Sequence, residues 1–505
     1  MTSKKTTGQV YTPYNIVKVI LNKVHFYDEN RTSEILHKHI IDNSCGDGAI
    51  LVEVVKQIIM SAGYIFRENR YAKIKECLET YVHGIEIDES AWLACIRNLD
   101  DVAKSFGIAD VKWDIRLGDA LSIHDYDGKM DFVVGNPPYV RVHNLVSDHI
   151  KEYAFANGGM TDLYLAFFEL GFRMMNETGQ MAYISPSSWF TSKAGKNLRD
   201  YIVTNKNLVS ILDFEHKQWF DGAQTYTAIS HFDNTKQYNT VIVEKIDNTS
   251  YIKEHTIIGY DEFNIDGKFF FADDFSLNRL RDVVGFWEKL PKEKRIFEVK
   301  NGFATLADDV FICDIIPTPE PEYNFKNPEN DNSPGETSIK HKHLIHAIKA
   351  STGKEKLCIF PYNEEGKLVS EDIIKEELPL LYQHLLDNKE RLLKRKTSEP
   401  WYAFGRTQAI NDTYKTKFAI SSLVKEDYPP KVCPADPGVG VFGGLYVLPK
   451  DERITCEFVD FVLGTHQFFQ YVKTLAKYKS GGYYTFSSKD VEMYLNYYWY
   501  NLMVV

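Results

Sequence analysis

No stretch of the 505-residue sequence approaches the ~18 consecutive apolar residues that a membrane-crossing helix requires. Lys4 and Lys5 are not followed by an apolar run, so no secretory signal is read there. The seven cysteines are dispersed and none forms a C-x-x-C pair, which argues against a disulfide framework and against a zinc site. Reduced thiols and a cytoplasmic location are expected, with no membrane partner and no metal. Three neighbouring histidines, His341, His343 and His346, lack a set of partner ligands and read as surface residues. Positive charge is also scarce: 59 Lys and Arg stand against 70 Asp and Glu, a net charge of -11. A global sum says nothing about distribution, however. Between Leu381 and Lys425, nine Lys/Arg face four Asp/Glu, a local reversal of sign. Internal repeats and low-complexity tracts are missing too.

What is present is a globular composition, 44% apolar and 26% charged, in a chain long enough for two or three domains. From about residue 35 to 245, short β-type runs alternate with helical patterns. His39 to Ile41 runs into Asp42-Asn43-Ser44-Cys45-Gly46-Asp47-Gly48, after which Ile50, Leu51, Val54, Val55, Ile58 and Ile59 recur at helical spacing. Further strands are read near 81–87, 111–117, 130–134, 180–185 and 209–214, with an apolar helix near 163–175. Two more, near 226–232 and 240–243, are expected to close the sheet as a hairpin. This order implies an α/β fold with a mostly parallel sheet, whose ligands sit beyond the carboxyl ends of the strands. After about 250 the alternation fades, Tyr, Phe and Lys become dense, and residues 317–336 read as an exposed polar loop. A catalytic domain over 1–250 and a separate α+β domain over 251–505 are expected.

The polar clusters fall where such a sheet would place a ligand. Gly46 and Gly48 permit a tight turn and close approach of a ligand to backbone N–H groups. Glu86 ends the second strand, where a carboxylate can bond both hydroxyls of a ribose. Asp119 ends the third, where a carboxylate can accept from an adenine amino group. The strongest signal is Asp131-Phe132-Val133-Val134-Gly135-Asn136-Pro137-Pro138-Tyr139. Two prolines stiffen the turn and remove two donors. The Asn136 side-chain oxygen and the Pro137 carbonyl then converge as acceptors on one exocyclic amino group. Tyr139 offers a ring for stacking a base.

These residues resemble the amino-methyltransferases of restriction–modification systems, specifically the γ-type adenine-N6 class of TaqI- and Eco57I-like methylases. Gly8 to Pro13 looks like the family's methionine-contacting segment, and residues 42–48 like its D-P-A-C-G-S-G loop, with Asn43-Ser44 in place of Pro-Ala and Asp47 in place of Ser. Asn136-Pro137-Pro138-Tyr139 matches the catalytic tetrapeptide fully. Thr161 to Tyr164 and Tyr183 to Pro186 look like later motifs. The resemblance implies a class I methyltransferase fold with a Rossmann-like mixed sheet, followed by a C-terminal target-recognition domain. It implies S-adenosyl-L-methionine bound by Tyr11, Thr12, Asp42, Ser44, Gly46, Gly48, Glu86, Ile87, Asp119, Ala120 and Pro138. It further implies a flipped adenine stacked between Tyr139 and Phe220, with Trp219 and Tyr226 as alternatives to the latter. In the C-terminal half, Val299 to Gly302, Trp401 to Arg406 and Tyr484 to Lys489 resemble landmarks of TaqI-like specificity domains. Lys394, Arg395, Lys396 and Arg406 are the DNA-contact candidates there. The expected enzyme is a monomer that modifies double-stranded DNA, with a cognate endonuclease as a separate protein. Cytosine-N4 transfer is the nearest rival activity; a non-catalytic specificity subunit is the non-enzymatic one.

Overall fold

Three consecutive buried residues, Ile40–Asp42, form β1, the strand from which the N-terminal half is organised. In the computed structural model, which describes residues 12–27, 34–142, 148–157, 161–217, 219, 225–246, 252–313, 323–324, 338–339 and 344–502, the chain divides into two units, Met1–Leu277 and Asn278–Val505. In the first unit, α1 (Tyr14–Lys23) precedes β1, which leads through the glycine turn into α2 (Ala49–Ile65) and then α3 (Arg70–Tyr81). The apolar residues expected at helical spacing, Ile50 to Ile59, are the buried stripe of α2. β2 (Val82–Glu86) feeds α4 (Glu89–Ser105), whose first turn is capped by the Asp88 carboxylate accepting from Ala91 N at 2.9 Å. β3 (Asp114–Leu117) and β4 (Met130–Gly135) follow, then α5 (Tyr164–Met174), β5 (Met175–Pro186), α6 (Lys196–Asn205) and β6 (Leu208–Asp213). β4 is buried along its full length, as befits a central strand with parallel partners on both sides.

The sheet closes differently from the expected hairpin. Its nine strands run β3-β2-β1-β4-β5-β7-β6-β8-β9, where β7 is Thr227–Asp233, β8 is Thr240–Ile246 and β9 is Ile252–Gly259. β7 inserts antiparallel between β5 and β6, so both its edges are already paired and it cannot also pair with β8. β8 instead lies parallel to β6 and forms its hairpin with β9. That pairing carries the first unit past residue 250, and the division falls at Leu277 rather than at 250.

At the amino ends of the strands, polar side chains tie β1, β2 and β3 together. His83 Nδ1 lies 2.8 Å from Asp114 Oδ2, and His39 Nδ1 lies 2.9 Å from His83 Nε2. A carboxylate only accepts, so His83 Nδ1 donates to Asp114, and a single hydrogen joins His83 Nε2 to His39 Nδ1. The carboxyl ends are thereby left for a different chemistry.

The second unit is α+β. One antiparallel sheet runs Phe297–Asn301, Leu445–Pro449, Lys417–Ile420, Val432–Ala435, and a second, mixed one runs Ile312–Cys313, Lys354–Ile359, Leu344–Lys349, Gly440–Phe442. Helices Glu371–Glu377, Pro379–Asp387, Cys456–Leu463, His466–Thr474 and Ser488–Leu502 accompany them. Its core is aromatic-rich, with Phe303, Phe311, Phe360 and Phe404 buried together. Of the polar loop expected at 317–336, all but residues 323–324 lie outside the described residues, as do His341 and His343. His346 is exposed and paired with Glu355.

Candidate active site

The turn after β1 is held by neighbouring strands. Ser44 N donates to Asp42 Oδ1 at 3.1 Å, Cys45 N to Ile85 O at 3.0 Å, and Gly46 N to Glu86 Oε2 at 2.9 Å. Gly46 and Gly48 both have positive φ, +57° and +86°, which is why the turn takes glycine twice. Their roles differ. A Cβ on Gly48 would lie 2.7 Å from Cys95 Sγ, so this residue sets the packing of α2 on α4; a Cβ on Gly46 would meet nothing within 4 Å. Gly46 therefore opens onto vacant space beside Glu86. Cys45 is buried beneath the turn, its thiol pushed well above the ordinary value by the Cys95 contact and by burial. It is a packing residue.

Glu86 is buried and has each carboxylate oxygen on a backbone N–H, Oε2 on Gly46 and Oε1 on Asp88 at 2.8 Å. The next residue, Ile87, is 63% exposed, an apolar side chain standing open next to the glycine turn. Gly118 N donates to Glu86 O at 2.9 Å, joining the end of β3 to the end of β2. Asp119 follows, half-buried, with Oδ1 accepting from Leu121 N at 3.0 Å, while Ala120 is buried. The three carboxylate and glycine stations thus form one bonded row across β1, β2 and β3.

The fourth station leaves β4. At Gly135 an ideal Cβ would lie 3.3 Å from both Asp42 Oδ1 and Tyr183 Cε1, a tight fit in which either neighbour would have to give by a few tenths of an ångström. Asn136 Nδ2 donates to Thr12 Oγ1 at 3.3 Å, which orients the amide and makes its oxygen the acceptor end. Ser44 Oγ donates to Asn136 O at 3.4 Å, linking this turn to the one after β1. Pro137 is buried and Pro138 half-buried. Tyr139 donates its hydroxyl to Ile184 O at 3.3 Å and borders the hydrophobic core; burial raises its pKa well above the ordinary phenol value. The segment is backed by Leu163 N on Val140 O at 2.8 Å and Val142 N on Thr161 O at 2.9 Å. This is where the Thr161 to Tyr164 motif belongs physically.

Asp42 is buried to 2% exposure. Burial pushes its carboxyl up to about 7, opposed by the Ser44 N–H and reinforced by the nearby Glu86 charge.

Tyr11 and Phe220 lie outside the described residues. Trp219 packs on Phe214, ring centroids 5.6 Å apart, against the same hydrophobic cluster that Tyr139 borders. Tyr226 is half-buried beside His216. In the second unit Lys394, Lys396 and Arg406 are exposed. Arg395 is not available to a ligand in the expected way. Its guanidinium donates to Leu392 O at 3.0 Å, Thr305 O at 2.6 Å, Ala403 O at 2.9 Å and Trp401 O at 2.5 Å. It pins three loops together, a role that a run of Lys-Arg-Lys in a sequence does not reveal. Arg391 pairs with Asp309 and Lys415 with Asp412, while Lys417 is buried, which lowers its pKa to about 8. Among the described residues no group of three His, Cys, Asp or Glu is arranged to hold a metal ion. Asn43 and Tyr183, each part of a motif but not marked by the sequence as partners, meet beneath the site; Asn43 Nδ2 donates to Tyr183 Oη at 2.6 Å.

A sheet ordered β3-β2-β1-β4-β5-β7-β6 with an antiparallel β7, glycine and acid stations at the ends of β1 to β3, and an Asn-Pro-Pro-Tyr turn after β4 define a class I methyltransferase fold. Residues 59–220 match the family model described as the Eco57I restriction-modification methylase. The Type II restriction enzyme and methyltransferase RM.Eco57I of Escherichia coli is 24% identical over 499 residues, spanning 83% of this chain and 49% of its own. The Type II methyltransferase M.BstVI of Geobacillus stearothermophilus is 24% identical over 429 residues, 79% of this chain and 74% of its own. Among solved structures, the Type IIL restriction-modification enzyme MmeI in complex with DNA superposes with a TM-score of 0.61 at 15% identity, covering 94% of this chain and 64% of that one. The chain is thus similar to the Eco57I-like restriction–modification methylases, and it spans about half the length of RM.Eco57I.

Proposed function

We propose that this chain is a site-specific DNA methyltransferase that transfers the methyl group of S-adenosyl-L-methionine to N6 of an adenine extruded from the duplex. Residues 1–277 would carry the chemistry and 278–505 the recognition of the DNA site. The observation that carries this reading is the row of four stations at the carboxyl ends of four neighbouring strands, with the turn of residues 42–48 bonded to Glu86 and to Asn136, and Glu86 bonded in turn to Gly118, which precedes Asp119. The open space over Gly46, the immobilised Glu86 carboxylate and the exposed Ile87 fit an adenosine: ribose hydroxyls on Glu86, the base against Ile87 with its amino group towards Asp119. Thr12 and the turn of residues 42–48 would hold the methionine end. When bound, the cofactor supplies an electrophilic methyl on a sulfonium.

The chain's own contribution is positional. Asn136 Oδ1 and the Pro137 carbonyl accept the two hydrogens of the adenine amino group and leave its lone pair aimed at the methyl carbon. Tyr139 stacks on the extruded base, its hydroxyl anchored on Ile184 so that the ring is held still. The adenine nitrogen itself would be the nucleophile towards that methyl, with no covalent intermediate on the protein, and its surplus proton would leave to solvent. No cysteine is used. Orientation accounts for most of the acceleration.

The test is Asn136→Ala with labelled cofactor and unmethylated genomic DNA. Transfer should fall at least ~10²-fold with cofactor affinity retained; near-normal turnover would remove the assignment. Mass spectrometry of DNA methylated by the unaltered chain should give 6-methyladenine, and 4-methylcytosine in its place would transfer the reading to the rival base.

A further inference from the structure

Asn43 stands where the resembling methylases carry proline, in the turn that follows β1, and Tyr183 lies on β5. Between these two strands in the sheet lies β4, which ends at Gly135. Neighbouring strands are ~4.8 Å apart, so an interaction from β1 to β5 has to cross the whole of β4. The Asn43–Tyr183 hydrogen bond does this at 2.6 Å, between side chains that are 1% and 0% exposed. A second amide hydrogen of Asn43 faces Met174 Sδ at 3.7 Å. The crossing passes beside Gly135, where Tyr183 Cε1 lies within 3.3 Å of the position a Cβ would occupy and Asp42 Oδ1 approaches the same point from the β1 side. The residue after Gly135 is Asn136. Ser44, the second departure from the resembling Pro-Ala pair, bonds the Asn136 carbonyl.

Proline would lock φ at position 43 by itself. Asparagine does not, and the chain has a buried side-chain strap in its place. We infer that the Asn43–Tyr183 pair is a positioning device of this particular chain: a strap across β4 that sets the separation between the cofactor turn and the Asn136 acceptors. This rests on the methyl-transfer reading above. Neither residue touches the reacting atoms; each acts through Gly135 and the turn after β1. Small displacements at this point translate into loss of in-line geometry, and a misplacement of ~1 Å can cost ~10²-fold in rate.

A strap that only stabilises the fold and a strap that positions the site respond differently to removal of both partners. Deleting one hydroxyl leaves a buried amide unsatisfied, whereas replacing both partners with apolar groups of like shape relieves that penalty. The variants are Tyr183→Phe and the pair Asn43→Leu with Tyr183→Phe, made in the full chain. Three quantities are measured: melting temperature, S-adenosyl-L-methionine Kd, and single-turnover methylation of unmethylated genomic DNA. Tyr183→Phe should slow single turnover about tenfold while the cofactor Kd stays within about twofold. In the double variant the melting temperature should recover towards that of the unaltered chain while the turnover rate stays low. A rate that returns together with the melting temperature overturns the positioning role, as does a Tyr183→Phe variant with unchanged single turnover. If the unaltered chain itself transfers no methyl, the methyl-transfer reading fails and takes this inference with it; activity in the unaltered chain with no effect of Tyr183→Phe overturns the strap alone.

Discussion

A carboxylate that titrates near neutrality inside a protein is an unstable possession, and Asp42 is one. Its ordinary value is 3.8 and burial moves it to about 7 in the folded chain. Between those values the folded state keeps a proton that the unfolded state has released. The stabilisation this represents is complete below about pH 4 and is lost as pH rises through about 7. Asp42→Asn keeps the shape and an oxygen for Ser44 N–H but removes the charge. Its melting temperature relative to the unaltered chain should therefore climb between pH 5 and pH 8, by roughly 2–5 °C. Differential scanning fluorimetry across that range reads it directly; a flat difference would mean that Asp42 does not titrate in this window. Arg395 gives a second residue-scale expectation. Removing it takes a charged donor from four carbonyl groups, of which Leu392 O and Thr305 O keep a backbone N–H while Trp401 O and Ala403 O lose the guanidinium that holds them, so Arg395→Ala should lower the stability of the second unit by about 2–4 kcal/mol. Lys396→Ala and Arg406→Ala should instead leave stability alone and reduce the slope of log DNA affinity against log salt by about 1 each. Equal salt slopes before and after would take these two exposed cations out of the DNA contact.

At the scale of elements, the glycine turn separates two requirements that look identical in a sequence. Gly48→Ala drives a methyl into Cys95 Sγ across the α2–α4 contact and strains a backbone at φ +86°. A loss of about 1–3 kcal/mol in urea denaturation is expected. Gly46→Ala places its methyl in open space, so its stability penalty is confined to the left-handed backbone, roughly 1–2 kcal/mol. Its main effect should be on binding, since that space is where the nucleoside is proposed to sit; isothermal titration with S-adenosyl-L-methionine should show at least a tenfold loss. If Gly46→Ala binds normally, the open side of the turn is not the cofactor side. The same turn shows why part of the site was readable and part was not. Asn136-Pro137-Pro138-Tyr139, Glu86 and the paired glycines are each dictated by short-range backbone geometry at a strand end, and that signal survives in a linear string. Tyr183 is 140 residues from Asn43, and nothing local marks either as the other's partner.

For the whole molecule, the end of the first unit is set by pairing, not composition. Composition changes near 250, but β8 needs β9, residues 252–259, as its outer neighbour. A fragment ending at 250 exposes the edge of β8, with its unpaired N–H and C=O groups, and should aggregate or melt lower than one ending at 277. Side-by-side solubility and melting curves of the two fragments test this; equal behaviour would mean that β9 adds nothing to the first unit. Fragment 1–277 should bind cofactor and lose selectivity for a DNA site. Methylation of one site by that fragment would show that the second unit is not the reader.

The sequence by itself determined the alternation of strands and helices, the residues at the carboxyl ends of β1 to β4, and the Asn-Pro-Pro-Tyr turn. Each depends on periodicity or on φ restrictions that act over a few residues. Only the tertiary structure decided that β7 lies between β5 and β6, that β9 belongs to the first unit, that Arg395 serves backbone carbonyls and that Asn43 reaches Tyr183. These are outcomes of which surfaces meet once the elements pack, and contacts between residues far apart in the chain leave no periodic trace along it.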